Sequence, residues 1–281
     1  MKASTRLIHK YLRHDKKFPH VWCPGCGIGI LLGSLIRAID KVGYAKDEVV
    51  LISGIGCSSR LPVYVDLNTL HTTHGRALTF ATGVKLANPE LRVIVVMGDG
   101  DAMAIGGNHF IHAARRNIDL TAIIINNAVY GMTGGQTSPT TPYGMKTTTA
   151  VYKNIEHAFP IAEMAVTAGA VFVGRGTVYH ARLLDQLIEK AFLKEGFGVV
   201  EVISHCHTQY GKLNRLGSAV DMMWLQKENA ISVEKARDMA PTELEGKIVI
   251  GVLTDRKAPI YREEYEKVRA RARGEVLEED L

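Results

Sequence analysis

Residues 93–107 read VIVVMGDGDAMAIGG. Apolar residues run without polar alternation into a turn of glycines and acids, and small residues follow. An unbroken apolar run suits a strand covered on both faces, as in a parallel sheet. The turn is not the dinucleotide fingerprint G-x-G-x-x-G, because Met103 stands where the third glycine belongs. Asp99 and Asp101 also set carboxylates beside any anion that the turn would cradle. Mg²⁺ resolves that conflict, since it takes oxygen ligands and bridges carboxylate to phosphate. The plainer reading of Asp99, and of the Asn that follows the next strand, is ordinary loop capping by Asp and Asn.

Similar runs recur along the chain. Strands are expected at 49–53, 93–97, 120–126, 170–173 and 199–203, and helices at 27–42, 75–87, 105–116, 161–168 and 178–194. Strands separated by helices imply an α/β fold with a mostly parallel central sheet and helices on both faces. After Cys206 the alternation stops. A helix near 219–240, an apolar run at 247–253 and a charged tail follow. The expected organisation is one α/β domain over 1–206 and a C-terminal extension over 207–281 that packs on a partner subunit. The tail, EEYEKVRARARGEVLEEDL, reads as a solvated helix or fraying end.

The totals bound the function. At 281 residues and 46% hydrophobic, the chain can bury a substantial core. A net charge of +5 is too mild to argue for nucleic acid. Neither a signal peptide nor a membrane span is expected, which points to the cytoplasm.

The next expected strand after Asp99 ends in NNAVYGM (126–132). Consecutive parallel strands lie side by side, so Asp99 and Asn127 are expected to meet at the carboxyl edge, where open α/β sheets bind ligands. The carbonyl of Val129 completes an oxygen shell for Mg²⁺.

Four cysteines are present. Cys23 and Cys26 form WCPGCG (22–27), while Cys57 and Cys206 follow two expected strand ends, so all four are able to converge at the same edge. In the cytosol two structural disulfides are disfavoured. A zinc ribbon lacks its second C-x-x-C, although a Cys₃His site using His205 or His207 stays open. A redox dithiol leaves two thiols without a role. A [4Fe–4S] cluster wants four thiolates, and the count is four. The residues alone leave these readings standing.

GDG followed by NN resembles the diphosphate motif of thiamine-diphosphate enzymes, in which the Asp, the second Asn and a backbone carbonyl hold Mg²⁺; the matching positions are Asp99, Asn127 and Val129. WCPGCG, GIGCSS (54–59), TTHGRA (72–77), GDGDAMAIGG (98–107), NNAVYGMTGGQTSPTT (126–141) and SHC (204–206) together resemble the β subunit of 2-oxoacid:ferredoxin oxidoreductases over about residues 20–210. The resemblance implies that Cys23, Cys26, Cys57 and Cys206 ligate a [4Fe–4S] cluster beside thiamine diphosphate. It assigns Ile55, Gly56, Cys57 and Ser58 to the loop on the cofactor, His74 to a polar contact, and Gly98, Gly100, Asp101, Gly131 and Met132 to the surroundings of the diphosphate. Arg60 stands where relatives often carry Lys; a guanidinium there suits a substrate carboxylate, and a solvated surface role is as reasonable. Arg60 and His74 are the candidate catalytic residues. His109 and His112, one helical turn apart, are assigned to packing or surface.

The implied reaction is oxidative decarboxylation of a 2-oxoacid, with electrons leaving singly through the cluster to ferredoxin and the acyl group going to coenzyme A, reversible as reductive carboxylation. The stretch IGVLTDRKAPIYREEYEKV (250–268) looks like the 2-oxoglutarate version; pyruvate and branched-chain or aryl 2-oxoacid versions share the core motifs. Only the diphosphate half of the cofactor site is visible, so an α subunit is expected to supply the aminopyrimidine-binding domain and an activating Glu. The rivals are a metal-carrying electron-transfer or scaffold subunit without thiamine chemistry and a decarboxylase with structural zinc.

Overall fold

The computed structural model describes residues 3–15 and 19–276. Its strands are β1 (Val49–Ser53), β2 (Asn68–His71), β3 (Arg92–Gly98), β4 (Leu120–Asn126), β5 (Val129–Tyr130), β6 (Gln136–Thr137), β7 (Phe172–Thr177), β8 (Phe197–Ile203), β9 (Ala230–Ser232) and β10 (Ile248–Asp255). Eight of them form one sheet in the order β2-β1-β3-β4-β8-β7-β10-β9, and β5 and β6 make a small separate hairpin. From β2 to β7 every neighbouring pair is parallel.

The helices are α1 (Ala3–Tyr11), α2 (Ile28–Val42), α3 (Ala77–Ala87), α4 (Gly107–Arg115), α5 (Ile161–Ala168), α6 (Ala181–Leu193), α7 (Ala219–Asn229), α8 (Val233–Ala236) and α9 (Tyr261–Ala272). Alternate residues of β3 explain its unbroken apolar run. Ile94 and Val96 join the layer that holds Leu31 and Leu35 of α2 and Leu184 and Leu187 of α6. Val93, Val95 and Met97 join the opposite layer, with Leu78 of α3, Phe110 of α4 and Ile161 of α5. Leu31, Leu35 and Ile39 recur every fourth residue and lie on the buried face of α2. Each such side chain taken from water contributes about 1.5–3 kcal/mol, so this double burial sets the register of the central strands.

The expected strands and helices before Cys206 are found with small shifts at their ends. Beyond it, the sheet continues. β10 pairs antiparallel with β7 and parallel with β9, so residue 206 ends the parallel alternation without ending the sheet. The helix expected at 219–240 is interrupted: α7 stops at Asn229, β9 follows, and Ser232 caps the short α8 by accepting from Lys235 N–H. The tail forms α9, which is mostly exposed: Ala270 is buried, Tyr261 and Lys267 are half-buried, and Tyr261 packs on the core; its last residues, 277–281, lie outside the described residues. Among the described residues no helix is long and apolar enough to cross a membrane.

Candidate active site

From β1 the chain moves outward to β2 and then returns to β3 on the other side of β1. This reversal opens a crevice at the carboxyl ends of β1, β3 and β4, the place where such sheets bind ligands. A cavity of about 250 Å³ lies there. Its walls are Ile55–Ser58 after β1, Gly98–Asp101 at the end of β3, and Asn127 with Val129–Thr133 after β4; His74 adds a ring from the β2–α3 loop. Every cofactor-contact position expected from the sequence lines this cavity, as do Asp99, Asn127 and Val129. Arg60 does not. It is exposed in the 3₁₀ turn Ser58–Val63.

Asp99 is 3% exposed. Its Oδ2 accepts from Ser138 Oγ at 2.7 Å and from Thr140 Oγ1. Burial pushes its pKa up, and the Thr140 and Ser138 hydroxyls pull against that. Asn127 Oδ1 is buried in the same cavity wall without a hydrogen-bond partner. An oxygen acceptor left so, in a cavity wall shared with a buried carboxylate, is costly unless a cation or donor meets it. Two side-chain oxygens and the nearby carbonyl of Val129 make a hard donor set that fits Mg²⁺.

Asp101 opens a π-helical turn, Asp101–Ile105, that feeds α4. Burial raises its pKa, while the Gly75 amide, donating to Oδ1 at 2.6 Å, and His74 oppose the rise. His74 Nδ1 stands 2.8 Å from the same Oδ1. The two atoms are within ion-pair range but not aligned as a hydrogen bond, and Asp101 Oδ2 is buried without a hydrogen-bond partner. Between the two acids Gly100 has ordinary helical backbone, φ −67°. Its requirement is steric, since a Cβ there would overlap the Tyr130 ring.

The four thiols come together beside this cavity. In the Cys23–Cys26 turn, Cys26 N–H donates to Cys23 C=O at 2.9 Å. Gly25 supplies the left-handed residue, φ +86°, and a Cβ there would stand 2.7 Å from that of Ala219. Thr208 Oγ1 lies 3.7 Å from Cys23 Sγ and 3.8 Å from Cys206 Sγ. A Cβ on Gly131 would lie 3.2 Å from Cys206 Sγ and 3.9 Å from Cys57 Sγ. Burial, with added repulsion from neighbouring thiols, pushes both Cys26 and Cys57 up to about 11. Such thiols hold their protons unless bound metal lowers the pKa. Among the described residues no three His, Cys, Asp or Glu side chains are grouped to hold a single metal ion. A [4Fe–4S] cluster is attached at separate corners by four thiolates, and four thiols border this edge of the sheet. His205 Nε2 meets Gly25 C=O at 2.8 Å, and burial lowers its pKa, so the neutral ring donates there. That bond ties the end of β8 to the Cys23–Cys26 turn.

Sequence reasoning missed Ser138, Thr140 and Tyr130. All three lie within the quoted stretch 126–141, but loop hydroxyls and a lone ring carry no periodic signal. Ile28 and Ile125 also line the cavity, from α2 and β4.

A family profile described as thiamine pyrophosphate enzyme, C-terminal TPP binding domain, matches residues 37–202. The chain is 49% identical over 266 residues to 2-oxoglutarate synthase subunit KorB of Methanocaldococcus jannaschii, covering 95% of this chain and 98% of that one. It is 58% identical over 198 residues to the subunit of the same name from Archaeoglobus fulgidus, covering 70% and 73%. Among solved structures, 2-oxoglutarate:ferredoxin oxidoreductase from Magnetococcus marinus, with 2-oxoglutarate, coenzyme A and succinyl-CoA bound, superposes with a TM-score of 0.83 at 33% identity, covering 96% of this chain and 92% of that one. A crevice with a buried Asp–Asn wall and these relatives lead to one assignment: the chain belongs to the thiamine pyrophosphate enzymes, as a β subunit of the 2-oxoacid:ferredoxin oxidoreductase family.

Proposed function

We propose that this β subunit works on 2-oxoglutarate, forming succinyl-CoA and passing electrons through its own [4Fe–4S] cluster to ferredoxin, with the reverse carboxylation also open to it. The substrate rests on the relatives that bear its name at 49% and 58% identity. Asp99, Asn127 and the Val129 carbonyl hold Mg²⁺, which carries the diphosphate of thiamine diphosphate. Cys23, Cys26, Cys57 and Cys206 hold the cluster. When bound, the thiamine cofactor supplies an electron sink for decarboxylation and the cluster accepts electrons one at a time.

The chain's own residues do the holding and orienting. Ser138 and Thr140 fix the Asp99 carboxylate. Gly100 lets Tyr130 close the wall. Asp101 holds His74 at the cavity edge as a polar contact to the bound cofactor. Cys57 and Gly131 line the cavity and also border the thiol group, so the cluster adjoins the cofactor. Arg60 faces solvent here, and a substrate role for it depends on the assembled complex.

An α subunit completes the site. Ile55, Ile105 and Met132 are exposed at or beside the cavity, and the loop beyond it exposes Tyr143, Val151, Tyr152 and Ile155. Apolar surface of this kind on a site wall favours a covering partner. The observation that carries the reading is the buried, unpartnered Asn127 Oδ1 in the wall that holds Asp99.

The test is anaerobic purification of the chain alone and with its α subunit, with iron, sulfide and thiamine analysis. Turnover of 2-oxoglutarate with coenzyme A and a viologen dye is expected only in the complex, and faster than with pyruvate. Faster turnover of pyruvate, or full turnover by the isolated chain, would overturn the respective part.

A further inference from the structure

Thr208 lies in the π-helical turn His207–Gly211 that follows Cys206. Gly211 N–H closes this turn on the Cys206 carbonyl at 2.9 Å, so the position of Thr208 relative to Cys206 is set by backbone. Its hydroxyl thereby reaches the Cys23–Cys26 turn, 185 residues away in sequence from Cys23. It stands 3.7 Å from Cys23 Sγ and 3.8 Å from Cys206 Sγ, two sulfurs contributed by loops 183 residues apart (206 − 23). Among the described residues its hydroxyl has no other hydrogen-bond contact. A cysteine sulfur that binds iron has lost its proton and is only an acceptor, so between these atoms Thr208 is the donor.

We propose that Thr208 donates a hydrogen bond shared between the Cys23 and Cys206 sulfurs and thereby raises the reduction potential of the cluster; the inference rests on the cluster reading above. Reduction adds negative charge that spreads onto the ligating sulfurs. A donor aimed at them stabilises the reduced state more than the oxidised one. Partners beyond the ligands tune a metal site in this way without touching the metal. Thr208 is thus a positioning and tuning residue. No electron or proton is transferred to it.

The experiment uses the assembled complex, purified anaerobically. Iron and sulfide are quantified first, and the midpoint potential is then read by redox titration followed by electron paramagnetic resonance. Thr208→Val keeps the shape and removes the hydroxyl, and Thr208→Ser keeps the hydroxyl. With full iron content, the valine complex is expected to titrate at a more negative potential than wild type, and the serine complex close to wild type. Thr208→Ala is measured beside them and is expected to shift in the valine direction, so the test stands even where the valine chain assembles poorly. A fully loaded valine or alanine complex with the wild-type potential would overturn the proposal, as would a serine complex that shifts as far as valine. Wild-type complex without iron and sulfide would overturn the cluster reading itself, before any potential is measured.

Discussion

Ser138 Oγ donates to Asp99 Oδ2 across 2.7 Å, joining the residue after β6 to the residue after β3. Thr140 adds a second hydroxyl to the same oxygen. Two neutral donors on one carboxylate oxygen lock its rotation and partly replace the water that burial removed.

Removing those hydroxyls should weaken the metal site. A hydrogen bond to a charged group contributes about 1.5–3 kcal/mol, and about 1.4 kcal/mol is tenfold in affinity. Ser138→Ala and Thr140→Val are each expected to weaken Mg²⁺-dependent binding of thiamine diphosphate roughly tenfold. Calorimetric titration of the complex with cofactor at fixed Mg²⁺ reads this directly, with iron content as the control for folding. Wild-type affinity in both variants would show that Asp99 does not need them.

Asp99 and Asp101 both have pKa values raised by burial. In the cofactor-free chain they keep protons that the unfolded chain gives up at about pH 4. Their contribution to stability is therefore fullest below that range and is lost as pH rises through the raised folded values. Binding Mg²⁺ at Asp99 demands the charged form and releases a proton. The gain in melting temperature on adding Mg²⁺ and thiamine diphosphate should thus grow as pH rises from the ordinary carboxylate range, about pH 4, toward neutrality. Thermal melts with and without cofactor across that pH range check it; an equal or smaller gain at the higher pH would contradict the assignment.

Gly100→Ala tests the close approach of Tyr130. The backbone at Gly100 is helical, so alanine brings no conformational penalty. The added Cβ overlaps the Tyr130 ring instead, and overpacking of this kind typically costs about 1–3 kcal/mol. Cofactor binding should fall at least tenfold and recover in part in Gly100→Ala/Tyr130→Ala, where the obstructing ring is gone. A double variant no better than the single one would mean that the glycine serves something other than that ring.

The parts of this molecule legible in the sequence were those with a repeating physical cause. β3 and β4 carry unbroken apolar runs, 93–97 and 122–125, because both faces are covered there, and their approximate boundaries followed from that. The glycine and acid motifs placed the cavity because they sit where strands end. β2, with the sequence NTLH and no fully buried residue, gave no such signal, and α1 was overlooked because its polar residues outnumber its apolar ones. β10 lies between β7, which it meets antiparallel, and the edge strand β9, and nothing local to residues 248–255 records which strands it meets. Likewise the contacts of Ser138 and Thr140 depend on how a long loop folds back over β3, which is a property of the whole chain.

Behind the Asn127 wall lies a charged network whose removal should be felt at the cofactor. Arg175 meets Glu201 at 2.7 Å and Glu163 at 2.5 Å. Burial works against the Arg175 charge, but Glu201 and Glu163 more than offset it and hold its pKa above the usual value. Asn126 Nδ2 donates to the other Glu201 oxygen at 2.9 Å, and Asn126 Oδ1 accepts from Ala128 N–H at 3.3 Å. Ala128 sits at φ +64°, an uncommon conformation for a residue with a side chain, so this turn needs outside support. Glu201→Leu strips the buried Arg175 of its main partner and frees Asn126. Breaking a buried pair from one side costs about 3–5 kcal/mol. Glu201→Leu should therefore lower both stability in urea and Mg²⁺-dependent cofactor affinity. Arg175→Leu should lower stability but leave the Asn126–Glu201 bond, and with it most of the cofactor affinity. Glu201→Gln, which can still accept from Asn126, should behave like Arg175→Leu. Cofactor binding at wild-type strength in Glu201→Leu would show that the Asn126–Ala128 turn holds its shape without the network.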